Sequence, residues 1–265
     1  MFRAGALTDE QIGPVMLKFA VEKLGARNVA LLHSTDASGM MGAKGIKENA
    51  PQHGLKIIME EQFEPNDTSM IAQLTRVKAS RPDAVILYTS TNPAAVVAKN
   101  YQQLGMDHIP VVASHTVPTQ DFIRLAGDSA KTWIMMGPKT VIAEKLASDD
   151  AYRKAYYDPF MVLLRNKYGP TKEFKSFHGH GATAITMVSA IVTKAASDDR
   201  TALRDAMEAL SVDSMNGRFV YSPTNHDGTD MSFYGPLIIK EGHLWPWKYK
   251  DSEEIPPNPH AMAFP

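Results

Sequence analysis

There is no cysteine in the 265 residues. That excludes disulfides, thiolate metal sites and cysteine nucleophiles. It leaves the compartment open, because a chain this long with 44% apolar residues can bury a core without staples. Charge of one sign is also lacking: 28 Lys and Arg stand against 29 Asp and Glu, a formal net charge of −1. The basic residues are scattered, so no cluster marks a nucleic-acid or polybasic membrane contact. An apolar leader is missing too, since Met1 is followed at once by Phe2-Arg3. As written, the chain reads as cytoplasmic, or as one whose front end was removed.

Catalytic signatures are equally scarce. The chain holds no G-x-S-x-G elbow, P-loop or H-E-x-x-H. The first strand leads into Ser34–Gly39 rather than a G-x-G-x-x-G turn. His178-Gly179-His180 has i, i+2 spacing, which puts the two rings on different faces of a helix and argues against a metal. Asp36 follows the first strand as a phosphoacceptor would. Lys18–Gly25 supplies only Glu22, however, where a receiver domain needs an acidic pair. The expectation is binding without catalysis, cofactor or metal. One long stretch, Ser176–Thr193, carries no Asp, Glu, Lys or Arg. Its two histidines, Thr183, Thr186 and Ser189 make it a helix buried in protein rather than a membrane span.

What is present is a rhythm. Thr8 and Gln11 fit a capping box, and Ile12, Val15, Met16, Phe19 and Ala20 follow at helical spacing. Gly13-Pro14 predicts a bend near the start, and Gly25 a stop. Short apolar strands are expected at 28–33, 55–63, 83–88, 109–113 and 133–136. Helices are expected between them, from Met41 to His53, from an Asp67 or Thr68 cap to Ser80, from an Asn92 cap to Gly105, and from a Thr119 cap to Ala126. Such alternation gives a parallel, doubly wound α/β sheet. After Pro138 the pattern turns helical, at 149–168 with a break or kink at Asp158-Pro159, at 176–196 and at 200–210. Strands return at 217–221, 234–240 and 244–249, followed by a loose tail over 251–265.

In such a sheet, ligands bind beyond the carboxyl ends of the strands. Three of those ends are rich in hydroxyls: His33-Ser34-Thr35-Asp36-Ala37-Ser38-Gly39, Tyr88-Thr89-Ser90-Thr91-Asn92 and Ser114-His115-Thr116. Hydroxyls at helix starts are ordinary caps. Three such loops converging on one edge also make a cleft for a small polar ligand.

With these residues in hand, the chain resembles the type I periplasmic solute-binding proteins of ABC importers, in particular those for branched-chain amino acids and aromatic acids. FRAGALTDEQ (2–11) is similar to the family's first inter-lobe crossing, and EKLGARNVALLH (22–33) to the first strand of its second lobe. NDTSMIAQLTRVKASRPDAVIL (66–87) resembles a helix–strand unit, and NGRFVYSPTNHDG (216–228) a late strand and turn. The resemblance implies two α/β lobes closing on a ligand. Residues 4–137 and 217–250 would form the C-terminal lobe, with a flavodoxin-like sheet. Residues 138–216 would be helices of an N-terminal lobe whose own sheet is absent. It implies a periplasmic place, an ABC permease as partner and a small amino acid or organic acid as ligand.

Carried over residue by residue, the implied ligand groups are Ser34, Asp36, Ser38, Thr89, Thr91, His115, Phe177 and His178. Ser38 stands where the family often has an aromatic. His115 suits a carboxylate or phenol better than an ammonium. Ala182-Thr183 replaces a Tyr-Asp pair. These departures lean toward an aromatic or other organic acid. A cytoplasmic sensor of the same fold is the alternative reading. The uncovered helices predict a homo-oligomer, with helices exchanged between chains as one arrangement, and a one-sided cleft predicts weak binding.

Overall fold

The computed structural model describes residues 2–3 and 9–247. The chain divides into two compact units. One, the sheet unit, comprises Thr8–Gly137 and Pro236–Ser252. The other, the helical unit, comprises Met1–Leu7, Pro138–Gly235 and Glu253–Pro265.

The sheet unit follows the apolar runs. Its strands β1 (Asn28–Ser34), β3 (Ala84–Tyr88), β4 (Val111–Ala113) and β5 (Ile134–Pro138) are buried along nearly their whole length. Continuous apolar strands of this kind form when helices cover both faces. Strand β2 (Lys56–Phe63) lies at the sheet edge and stays half exposed, with Glu60, Glu61 and Gln62 in its second half. A charged, polar edge of this type resists pairing with another chain. The strand order is β2-β1-β3-β4-β5, extended by β8 (Tyr234–Lys240) and β9 (His243–Pro246). The first five pair in parallel, whereas β8 and β9 are antiparallel to each other. The doubly wound α/β expectation therefore holds.

Helix α1 (Asp9–Glu22) packs on α2 (Ala37–Asn49). Helix α4 (Thr91–Gln103) packs on both α3 (Ile71–Ser80) and α5 (Gln120–Ala126). Right-handed crossovers in a 2-1-3-4-5 sheet place these two groups on opposite faces. Trp133, stacked with Phe122 at 5.9 Å and edge-on to Tyr101 at 6.0 Å, fills the core between α4 and α5.

Local signals placed some helix starts and missed others. Asp36 and Thr119 cap α2 and α5 through the amides of Gly39 and Phe122, at 2.8 and 3.0 Å. As a result α2 begins four residues before Met41. Neither Asp67 nor Thr68 caps α3, whose cap position is Met70. The Met70 amide is met instead by Asn100 Oδ1 at 2.7 Å, while Asp67 closes its own turn on the Glu64 amide. Asn92 does not cap α4, which starts one residue after Ser90. Pro14 lies inside α1, and the helix runs on through it. The proposed Thr8 cap falls outside the described residues, as do residues 4–7 and the tail.

In the helical unit, Pro159 does not break the chain. A π-turn over Arg153–Tyr157 leads straight into α6 (Asp158–Tyr168). The widened turn accommodates a proline that has no N–H to donate. Helix α7 (Ser176–Ala195) is held on one side by α8 (Arg200–Glu208) and by the hairpin of β6 (Ser211–Ser214) and β7 (Gly217–Val220). Met187, Met207, Leu210, Phe219 and Tyr221 form the core there. The hairpin therefore packs with the helices, although residues 217–235 read as part of the α/β lobe. Strand β6, which is short and polar but for Val212, gave no apolar run to find. Among the described residues no helix is long and apolar enough to cross a membrane.

Phe2 and Arg3 also belong to this unit. The Phe2 ring stacks on His226 at 4.0 Å, and Arg3 donates its amide to the His226 carbonyl at 3.0 Å. The Arg3 guanidinium meets Asp227 at 3.1 Å, and the Tyr221 hydroxyl donates to the Arg3 carbonyl. The turn 225–228 thus fastens the start of the chain.

Candidate functional site

The loops after β1, β3 and β4 lie side by side on the carboxyl edge, because those strands are neighbours in the sheet. The first is drawn tight. Ser34 Oγ donates to Asp36 Oδ1 at 3.0 Å, and the same oxygen accepts from the Gly39 amide at 2.8 Å. Gly39 comes so close that a Cβ there would lie 2.1 Å from the Ser34 carbonyl oxygen. A Cβ on Gly42 would stand 2.5 Å from the Tyr88 ring. Both glycines are needed for α2 to sit against the edge. Asp36 is consequently built into the loop as a cap, with one carboxylate oxygen already shared by two donors. Ser38 lies in the first turn of α2, partly exposed.

The second and third loops are stitched together by hydroxyls. Ser114 Oγ donates to the Thr89 carbonyl at 3.1 Å, and Thr116 Oγ1 donates to the same carbonyl at 2.7 Å. Ser114 Oγ and Thr116 Oγ1 lie 3.0 Å apart, both turned to that carbonyl. Thr91 Oγ1 donates to the Thr116 carbonyl at 3.2 Å and lies 3.3 Å from Thr119 Oγ1. His115, partly exposed, sits edge-on to the Tyr88 ring with centroids 6.4 Å apart. Thr89 differs from the rest. Its side-chain oxygen is buried, with no hydrogen-bond partner among the described residues. Leaving such a group unmatched costs about 1–3 kcal/mol.

Ser34, Asp36, Ser38, Thr89, Thr91 and His115 therefore share one edge of the sheet unit. Phe177 and His178 belong to the helical unit, in the first turn of α7. Phe177 is 80% exposed and stands edge-on to His180 at 5.4 Å. His178 Nδ1 accepts the Lys175 amide at 2.9 Å, which leaves Nε2 to carry the ring proton. Burial, with help from Lys172 and Lys175, pushes the His178 pKa down, and burial alone does the same to His180. Both rings are thus neutral near pH 7, and Phe160 and Phe174 flank His178.

Two groupings escaped sequence inspection. In the sheet unit, His33, Glu60 and Lys47 form a chain of contacts at 3.2 and 2.8 Å. In the helical unit, Lys139 and Asp150 form a buried pair, with Nζ 3.3 Å from both carboxylate oxygens and 4.7 Å from the Tyr152 ring centre. Burial pulls the Lys139 pKa down against the raising effect of Asp150. The usable signal was a lone Lys directly after the apolar run 134–138. His33 gave a weaker one, a polar residue ending the apolar run of β1. Among the described residues no group of His, Asp and Glu could hold a metal ion.

This edge offers oriented hydroxyls, backbone amides and one imidazole. A family model described as periplasmic binding protein matches residues 1–235. A leucine-, isoleucine-, valine-, threonine- and alanine-binding protein of Pseudomonas aeruginosa is 20% identical over 219 residues. The match covers 82% of this chain and 54% of that protein, so the chain spans about half the length of this curated relative. An extracellular ligand-binding receptor from Rhodopseudomonas palustris superimposes with a TM-score of 0.79 at 25% identity, covering 92% of this chain and 69% of that one. An ABC-transporter solute-binding protein from R. palustris, solved in complex with benzoate, gives a TM-score of 0.71 at 20% identity, covering 90% and 62%. With nearly nine-tenths of its length inside the family model and the matching fold, the chain belongs to the periplasmic binding protein family.

Proposed function

We propose that this chain binds a small organic solute, an amino acid or an aromatic or other organic acid, as all or part of the substrate-binding component of an ABC importer, without catalysis. The observation that carries this reading is the buried, unmatched Thr89 hydroxyl on an edge lined by hydroxyls. A ligand carboxylate or hydroxyl would satisfy it. The carboxylate-bearing ligands named for the relatives, leucine and benzoate among them, fit that chemistry. Thr91, Ser38 and His115 are assigned as further contacts, with Ser34 and Asp36 shaping the loop. Phe177 and His178 form a separate assignment, each open to test by its own substitution. An ABC permease and a periplasmic location accompany this reading through the family.

Isothermal titration with leucine, alanine and benzoate tests it. We expect one of them to bind, with an affinity weaker than micromolar, and Thr89→Val to lose most of that binding while remaining folded. Unchanged binding by Thr89→Val would remove the assignment.

The same reading includes self-association. Helix α7 exposes Phe177, Ile185, Val188 and Val192 on one side, with no charged residue between positions 176 and 193. Ile185, Val188 and Val192 recur at steps of three and four residues, and Phe177 lies eight residues, about two turns, before Ile185 on the same side, the spacing of a helix–helix seam. A second copy of the chain can cover such a face without like-charge repulsion. Sedimentation at micromolar concentration should show a dimer that Val188→Glu dissociates, and a monomeric parent would exclude it.

A further inference from the structure

His33 is fully buried near the end of β1, one residue before the ligand loop. Its Nδ1 lies 3.0 Å from the Ser34 carbonyl oxygen, and its Nε2 lies 3.2 Å from Glu60 Oε1. A carbonyl oxygen can only accept a hydrogen bond, and so can an ionised carboxylate. Glu60 is ionised at neutral pH. Burial tends to raise its pKa, but hydrogen bonds from Lys47 and His33 bring it below the usual glutamate value. A neutral imidazole has one N–H and could satisfy only one of these two acceptors. The imidazolium satisfies both.

The geometry points to His33 as a doubly protonated positioning residue that holds the Ser34 carbonyl, and through it the Ser34–Gly39 loop, in the ligand-ready arrangement. Ser34 is gripped from two directions. His33 takes its carbonyl, and Asp36 takes its hydroxyl while also accepting the Gly39 amide. The 2.1 Å approach predicted for a Gly39 Cβ shows how little freedom that carbonyl has. The three charged groups at the ring sum to +1, one carboxylate lying between two cations. Glu60 from β2 carries the negative charge, Lys47 from α2 bonds the same Glu60 oxygen, and Tyr88, the register partner on β3, adds no charge at neutral pH. When the ring gives up one proton as pH rises, one acceptor loses its hydrogen. The hold on Ser34 or the link to Glu60 then weakens. The loop's part in ligand capture rests on the proposed function, whereas the state of the ring does not.

Two readouts on the intact chain test this, and neither needs a ligand. The first is 15N NMR of labelled histidine at pH 7, which should show both His33 nitrogens protonated. In Glu60→Gln the doubly protonated fraction should fall. The second is amide hydrogen exchange. Protection of Gly39 and Met40 should drop about tenfold as His33 loses its second proton, the worth of one charge-assisted hydrogen bond, while Val112 stays protected. A single unprotonated ring nitrogen at pH 7 would overturn the inference, as would Gly39 and Met40 protection that ignores the His33 titration. Where leucine or benzoate binds, its affinity should follow the same profile in the parent and lose that step in His33→Gln. Absence of binding at every pH would count against the proposed function and leave the two NMR readouts to decide His33.

Discussion

Helices α4 and α7 are both poor in charge, yet they end in different surroundings. Helix α4 buries Pro93, Ala94, Ala95, Val97, Ala98 and Tyr101 under the sheet, α3 and α5. Helix α7 is longer and more apolar, and buries only Gly179, Thr183 and Met187. The cause is cover. The sheet unit carries its own layers on both sides of α4. The helical unit covers α7 chiefly with α8 and the β6–β7 hairpin, while the 139–145 turn touches it and Phe160 and Phe174 reach its first turn. The hairpin side is made by hydrogen bonds as much as by apolar contact. Thr183 Oγ1 donates to Ser214 Oγ at 3.2 Å and accepts the Asn216 amide at 3.1 Å. A helix's own apolar content therefore says how much cover it needs, while the rest of its unit decides how much it receives.

The two units should accordingly respond to different insults. The largest effect is expected in the helical unit, where a charge pair is buried. Lys139→Met leaves the buried Asp150 carboxylate without its cation, held by the Arg153 amide at 2.9 Å, and should cost about 3–5 kcal/mol in urea unfolding. Adding Asp150→Leu should restore most of the loss, and an equally unstable double variant would show that packing, not charge, is responsible. Next comes a matched pair of apolar truncations. Leu87→Ala, in fully buried β3, should cost about 2–5 kcal/mol. Val188→Ser, on the open face of α7, should change monomer stability by no more than about 0.5 kcal/mol. Equal losses would mean that α7 is covered in solution.

A smaller change of opposite sign is expected at Thr89→Val. Removing a buried hydroxyl without a partner should raise stability by about 1 kcal/mol. The smallest effect concerns pH. Glu60 has a folded pKa below its unfolded value, so its contribution is present above the unfolded value and lost as pH falls through the folded one. Glu60→Gln should flatten that part of the acid unfolding profile.

Much of the sheet unit was legible because its signals are local. Val29–Leu32 and Val85–Leu87 are apolar without interruption, as strands covered on both faces must be. Asp36 and Thr119 cap the residues directly after them. What could not be read depends on distant partners. Met70 needs no cap of its own because Asn100 reaches over from α4. Strand β6 exists through its pairing with β7, and its own residues, Ser-Val-Asp-Ser, give little periodicity. At the carboxyl edge of the sheet the residue types were visible, but their use was not. Asp36 looked available and proved to be a cap, while Thr89, ordinary in sequence, is the hydroxyl left unmatched. His33 became interpretable only when Glu60 on β2 was seen at its ring, because no spacing along the chain links the two.

The most direct test of the central claim is a calorimetric titration of leucine and benzoate into the parent chain and into Thr89→Val at matched stability. We expect heat of binding from the parent with at least one of the two, and about tenfold or greater weakening in the variant, the loss of one buried hydrogen bond to a charged ligand. Equal affinity in both proteins, or no binding by a demonstrably folded parent, would contradict it.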